Sequence, residues 1–105
     1  MSYTKASHTD GDEKAPGMYF LREELDCENL GFTVIEAESG WTGMEHDHEE
    51  GGQEEVYFLV EGAATMDIDG DEVTMTAGDV LRVAADASRQ LTVDEASTFV
   101  VAGAP

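Results

Sequence analysis

The sequence predicts a small all-β domain, a sandwich or barrel of seven or eight short strands. Alternating apolar segments recur at close spacing after Gly31, turn residues separate them, and no helical periodicity follows Cys27. The 105 residues leave room for one core, and a chain of this size buries only about two-thirds of its unfolded surface. Hydrophobic residues make up 41%, which argues against wholesale disorder.

Residues 1–17 are polar, with Gly11, Pro16 and Gly17 as breakers, and read as a flexible or loosely docked arm before a single domain over 18–105. Tyr19 to Asp26 starts as a strand and ends in a helical turn. Phe32 to Glu38 alternates, with Ile35 and Ala37 on one face and Glu36 and Glu38 on the other. Val56 to Val60 is the most apolar run and reads as a central strand, broken by Gly62. Ala64 to Ile68 forms the next strand, and Asp69-Gly70 supplies the positive φ of a tight hairpin. Val73 and Met75, Val80 to Val83, Leu91 and Val93, and Phe99 to Ala102 complete the set. Turns are expected at Gly78-Asp79, Asp86 and Asp94. Met44, Met66 and Met75 read as core fillers, Cys27 as a small buried residue, and Trp41 as a core residue, barrel cap or interface residue.

Charge narrows the partners. Twenty-four Asp and Glu face five Lys and Arg, for a net charge of −19. Such a surface repels phosphate backbones and anionic head groups, so neither nucleic acid nor a membrane is an expected partner. The acids are spread along the chain as a solvated shell, a composition like that of halophile proteins. One cysteine rules out an intrachain disulfide and a multi-cysteine zinc site. With no apolar run of spanning length and no apolar leader, a cytoplasmic location is expected.

Chemistry concentrates in one place. Two of three histidines, His46 and His48, stand at i and i+2, which on an extended segment puts both rings on one face. With Glu55 they form a donor set suited to Zn, Fe, Mn, Ni or Cu. The alternative is a solvated EHDHEE loop whose histidines contact nearby carboxylates. Tyr57 and Leu59 share the parity of Glu55, so Tyr57 either lines a pocket or packs in the core. There is no Ser-His-Asp ordering and no phosphate-cradling loop.

The spacing Gly40, five residues, His46-Asp47-His48, then Glu55, six residues, Gly62 resembles the first signature of the cupin family. The stretch Gly70 to Asp79 (GDEVTMTAGD) is similar to the opening of the second. The resemblance implies a conical β-barrel, or jelly roll, with an inward-facing divalent metal (Mn, Fe, Ni or Zn) held by His46, His48 and Glu55. It also implies a homodimer, and a superfamily that includes isomerases, epimerases, decarboxylases and dioxygenases, so the fold does not choose an activity.

Two departures matter. Six residues intervene between His48 and Glu55, more than the family's usual gap. Counted from the histidine, Gln53 fills the slot; counted back from Gly62, Glu55 does. The second count is preferred because a strand fixes its register while Gly51-Gly52 absorbs an insertion. The family's final histidine falls near Arg89, which shares parity with Leu91 and Val93. A guanidinium has no lone pair for a metal. Arg89 therefore anchors an anionic or sugar-like small molecule beside a three-ligand metal, or pairs with Glu55 in a metal-free barrel, or lies on the surface. A metal-dependent enzyme, a non-catalytic binding or sensing module and a barrel with a vestigial site all remain open.

Overall fold

A computed structural model describes residues 2–105. A 3-10 turn at His8–Asp10 precedes seven strands: β1 (Asp12–Ala15), β2 (Met18–Phe20), β3 (Gly31–Ala37), β4 (Glu54–Ile68), β5 (Asp71–Thr76), β6 (Val80–Val83) and β7 (Arg89–Ala104). All pairings are antiparallel, in the order β1-β2-β3-β7-β4-β5, with β6 on β4. The strand alternation seen in the sequence is present throughout: inward Ile35, Leu59, Met66, Met75, Val83, Val93, Phe99 and Val101 form one core drawn from five strands.

β4 and β7 are longer than expected. Gly62 does not end a strand, and Val56–Val60 and Ala64–Ile68 are two arms of one. The pairing passes from Glu61 opposite Thr98 to Ala63 opposite Glu95, so β7 carries an extra residue at the bend. Gly62 takes φ +105 there, and a Cβ would run into Ser97 and Ala96. The Ser97 hydroxyl donates to the Glu95 carbonyl at 2.7 Å, satisfying a group the bulge frees. For the same reason Asp94 is no turn. It sits inside β7, where its carboxylate accepts from the Thr65 hydroxyl at 2.9 Å. The corner lets both strands serve two layers, as a jelly roll requires.

At Asp69-Gly70 the φ values are +50 and +91, the left-handed pair a two-residue hairpin demands. The polar N-terminal stretch supplies β1, which pairs with β2. His8 lies 3.0 Å from Glu36 and edge-on to Tyr19. Two side chains depart from expectation. Met44 is 83% exposed rather than core, because the loop carrying it bulges outward. Cys27 is only partly buried. Val56–Val60 belongs to a central strand, as expected, paired with β7 and β6; Val56, Phe58 and Val60 occupy its outer face and are partly exposed, with Val80 opposite Phe58. No helix among the described residues is long and apolar enough to cross a membrane.

Candidate metal centre

The loop from Gly40 to His48 is extended because β7 and the turn before it hold it. Gly40, Gly43, His46 and His48 donate their amides to Val93, Leu91, Arg89 and Ala85 at 2.8–3.0 Å. Bridges join Thr42 to Thr92 and His46 to Arg89. Four steps of the loop match three of β7, so one extra residue bulges between the bridges, near Met44. The bulge aims the Met44 carbonyl at His46, whose Nδ1 donates to it at 3.0 Å. A carbonyl only accepts, so Nδ1 carries a proton, and in the neutral ring Nε2 is left with the lone pair.

Glu55 lies on the inward face of β4, as the count from Gly62 requires. Glu54, one residue away, faces out and accepts from Arg82 at 2.7 Å. Gln53 precedes β4 and also lines the cavity. His46, His48 and Glu55 each bring a ligand atom within 4.8 Å of the others. Glu55 Oε1 is 3.3 Å from His48 Nε2 and 4.0 Å from His46 Nε2. The rings stand 5.0 Å apart and nearly perpendicular. His48 Nε2 is buried with no hydrogen-bond partner. An orphaned imidazole nitrogen among facing donors is what a metal would satisfy, so the residues fit such an ion.

Tyr57 lies two residues along the same inward face and is buried. Its hydroxyl donates to Glu55 Oε1 at 2.8 Å. Burial first, then the neighbouring carboxylate, push the phenol well above its ordinary range, so Tyr57 stays protonated and orients the carboxylate. It is therefore both pocket lining and core.

Arg89 is not a surface residue: it is 1% exposed. Its Nη2 donates to the Ala84 carbonyl at 2.7 Å. Nη1 approaches Glu55 Oε1 only to 3.9 Å, and neither Nη1 nor Nε has a hydrogen-bond partner. The site thus combines a tightly grouped donor set with a buried, under-satisfied cation. Both open into a cavity of ≈ 740 Å³ also lined by Trp41.

Residues 33–103 match the family described as Cupin domain, and the chain belongs to it. Its fold is like that of a cupin protein from Bacteroides fragilis (TM-score 0.78, 24% identity, 99% of this chain and 83% of that one). It is equally like an RmlC-like cupin from Shewanella frigidimarina (0.77, 19%, 100% and 95%). KdgF from Halomonas sp. is similar in the same way (0.76, 17%, 100% and 94%). At these identities the likeness is one of fold. No curated protein matches the chain.

Proposed function

We propose that this cupin binds a divalent metal ion through His46, His48 and Glu55 and, beside it, an anionic small molecule anchored by Arg89. The observation that carries the reading is the convergence of three donors within 4.8 Å, one of them a buried, unbonded imidazole nitrogen. Mn, Fe, Ni and Zn all accept such a set, and positions left over would go to water or ligand. When bound, the ion would supply Lewis acidity. Tyr57 orients Glu55, the Met44 carbonyl fixes the His46 tautomer, and Arg89 offers a proton from Nη1 to an incoming anion. Tyr57 is an inward titratable group beside the site, a position from which a side chain can transfer a proton. Its bond to Glu55 and its raised pKa make it a holder of its proton, which favours binding or metal-centred chemistry over acid–base catalysis by the chain.

A second reading, a metal-free barrel, draws on the 3.9 Å approach of Arg89 to Glu55. Metal content decides between them. Protein purified without a histidine tag is compared with a His46→Ala, His48→Ala double variant after exposure to Mn, Fe, Ni and Zn salts. Near-stoichiometric metal lost in the variant supports the proposal; metal below about a tenth of an equivalent in both supports the metal-free barrel. The homodimer is also proposed, and sedimentation equilibrium tests it.

A further inference from the structure

The cavity combines a cluster of polar site residues with a broad apolar lining. His46, His48, Glu55, Tyr57 and Arg89 gather on one side. Elsewhere its lining includes Met18, Phe20, Phe32, Ile35, Leu91 and Val101. The uncharged polar residues there are Thr33, Thr42 and Gln53, and the charged ones Asp12, Lys14, Arg22, Glu23 and Glu24. Against the apolar part of this wall a polyhydroxylated ligand would strand hydroxyls without partners, whereas a hydrocarbon body would bury apolar surface there.

The distribution of cations points the same way. Of five Lys and Arg in a chain of net charge −19, Lys14, Arg22 and Arg89 line this one cavity, together with the carboxylates of Asp12, Glu23, Glu24 and Glu55. Lys14 Nζ lies 4.9 Å above the Phe20 ring at its wall. Arg89 is the innermost, with Nη1 and Nε buried and unsatisfied. A buried guanidinium with protons to spare needs an acceptor oxygen, and the nearest carboxylate, Glu55, stands too far off to serve and is already bonded to Tyr57.

From the apolar wall and the unsatisfied guanidinium we infer that the ligand is a carboxylate carried on an apolar body, an aryl- or alkyl-carboxylate rather than a sugar acid. Its carboxylate meets Arg89 Nη1 beside the three grouped donors, and its hydrocarbon lies against Phe20, Ile35, Leu91 and Trp41. The inference rests on the site proposed above and specifies what that site accepts.

Trp41 is the chain's one tryptophan and lines the cavity, so its emission reports entry there. Calorimetry paired with Trp41 fluorescence compares three probes: 4-phenylbutyrate, 4-phenylbutan-1-ol (same body, no charge) and glucuronate (same charge, hydroxylated body). 4-Phenylbutyrate should shift the emission and bind about tenfold more tightly than either of the others. In Arg89→Gln the advantage of acid over alcohol should collapse to about unity. In Phe20→Ser the acid and the alcohol should weaken together while their ratio holds. Glucuronate binding as well as 4-phenylbutyrate, or an acid-to-alcohol ratio unchanged in Arg89→Gln, would overturn the inference. Should Arg89→Gln fail to fold, the three-probe comparison on the native protein and on Phe20→Ser decides alone. Each titration is run on zinc-exposed and chelator-treated protein with metal content measured. The preference persisting in protein that takes up no metal leaves the ligand class standing and removes the metal. Stoichiometric zinc without the preference does the reverse.

Discussion

Arg89 and His46 face each other across an antiparallel bridge closed by two backbone hydrogen bonds, 3.0 Å from His46 N to Arg89 O and 2.8 Å in return. Directly opposed residues of such a bridge put their side chains on one face. The cation and the histidine are therefore placed together by the backbone, whatever occupies the space between them.

That placement makes Arg89→His a test of the site's geometry. The substitution exchanges a guanidinium for a third imidazole aimed into the cavity, a fourth potential ligand beside His46, His48 and Glu55. Affinity for zinc, measured by competition with a chromogenic chelator, should rise about tenfold or more. Unchanged affinity would mean that position 89 does not reach the metal.

Tyr57→Phe removes the donor that holds Glu55 while keeping the ring in the core. Lost orientation of a ligating carboxylate costs about 10- to 100-fold in metal affinity. The same competition assay should register that loss with little change in circular dichroism, and an affinity equal to that of the unmodified protein would deny Tyr57 its positioning role.

The Tyr57 phenol also predicts a pH dependence. In the unfolded chain it ionises near its ordinary 10.0, while in the fold it holds its proton well beyond that. A raised folded-state pKa gives stability that is complete below about pH 10 and declines as pH rises past it, by at most about 1.4 kcal/mol per pH unit. Urea unfolding between pH 9 and pH 11 (roughly one unit either side of the phenol's reference pKa) should show a shallower decline for Tyr57→Phe. Parallel slopes would refute the assignment.

Two glycines separate conformational strain from collision. Gly70 takes φ +91 with nothing near a Cβ, so Gly70→Ala should cost about 1–2 kcal/mol. Gly62 takes φ +105 with Ser97 and Ala96 in the way, so Gly62→Ala should cost about 3 kcal/mol or more. Thermal unfolding should rank them with a gap of several degrees, about 4–8 °C per kcal/mol in a domain this size; equal losses would show that the bend can relax.

Much of this molecule is readable from its sequence because period-two alternation and turn chemistry are local. The Asp69-Gly70 hairpin, the inward parity of Arg89, Leu91 and Val93, and the choice of Glu55 over Gln53 each follow from strand register. What escaped is set at a distance. Gly62 and Asp94 carry turn-forming residues, yet their partner strands run past and convert both into parts of a bend. Val56, Phe58 and Val60 are as apolar as their inward neighbours, so no local signal says which half of that run faces out. The exposure of Met44 depends on a bulge against β7. Tyr57 had two readings, and only side-chain geometry revealed that both hold.

β7 comes after β3, β4 and the His46–His48 loop in the chain and is hydrogen-bonded to each of them. During synthesis those segments emerge before the strand that covers them, with Gly31 awaiting Gly103 and the edges of two sheets open meanwhile. Open edges invite pairing between nascent chains. The dispersed acids act in that interval, because each unfinished chain carries enough like charge to hold its neighbours off. The acidic shell thus guards the unfinished protein as well as clothing the finished one.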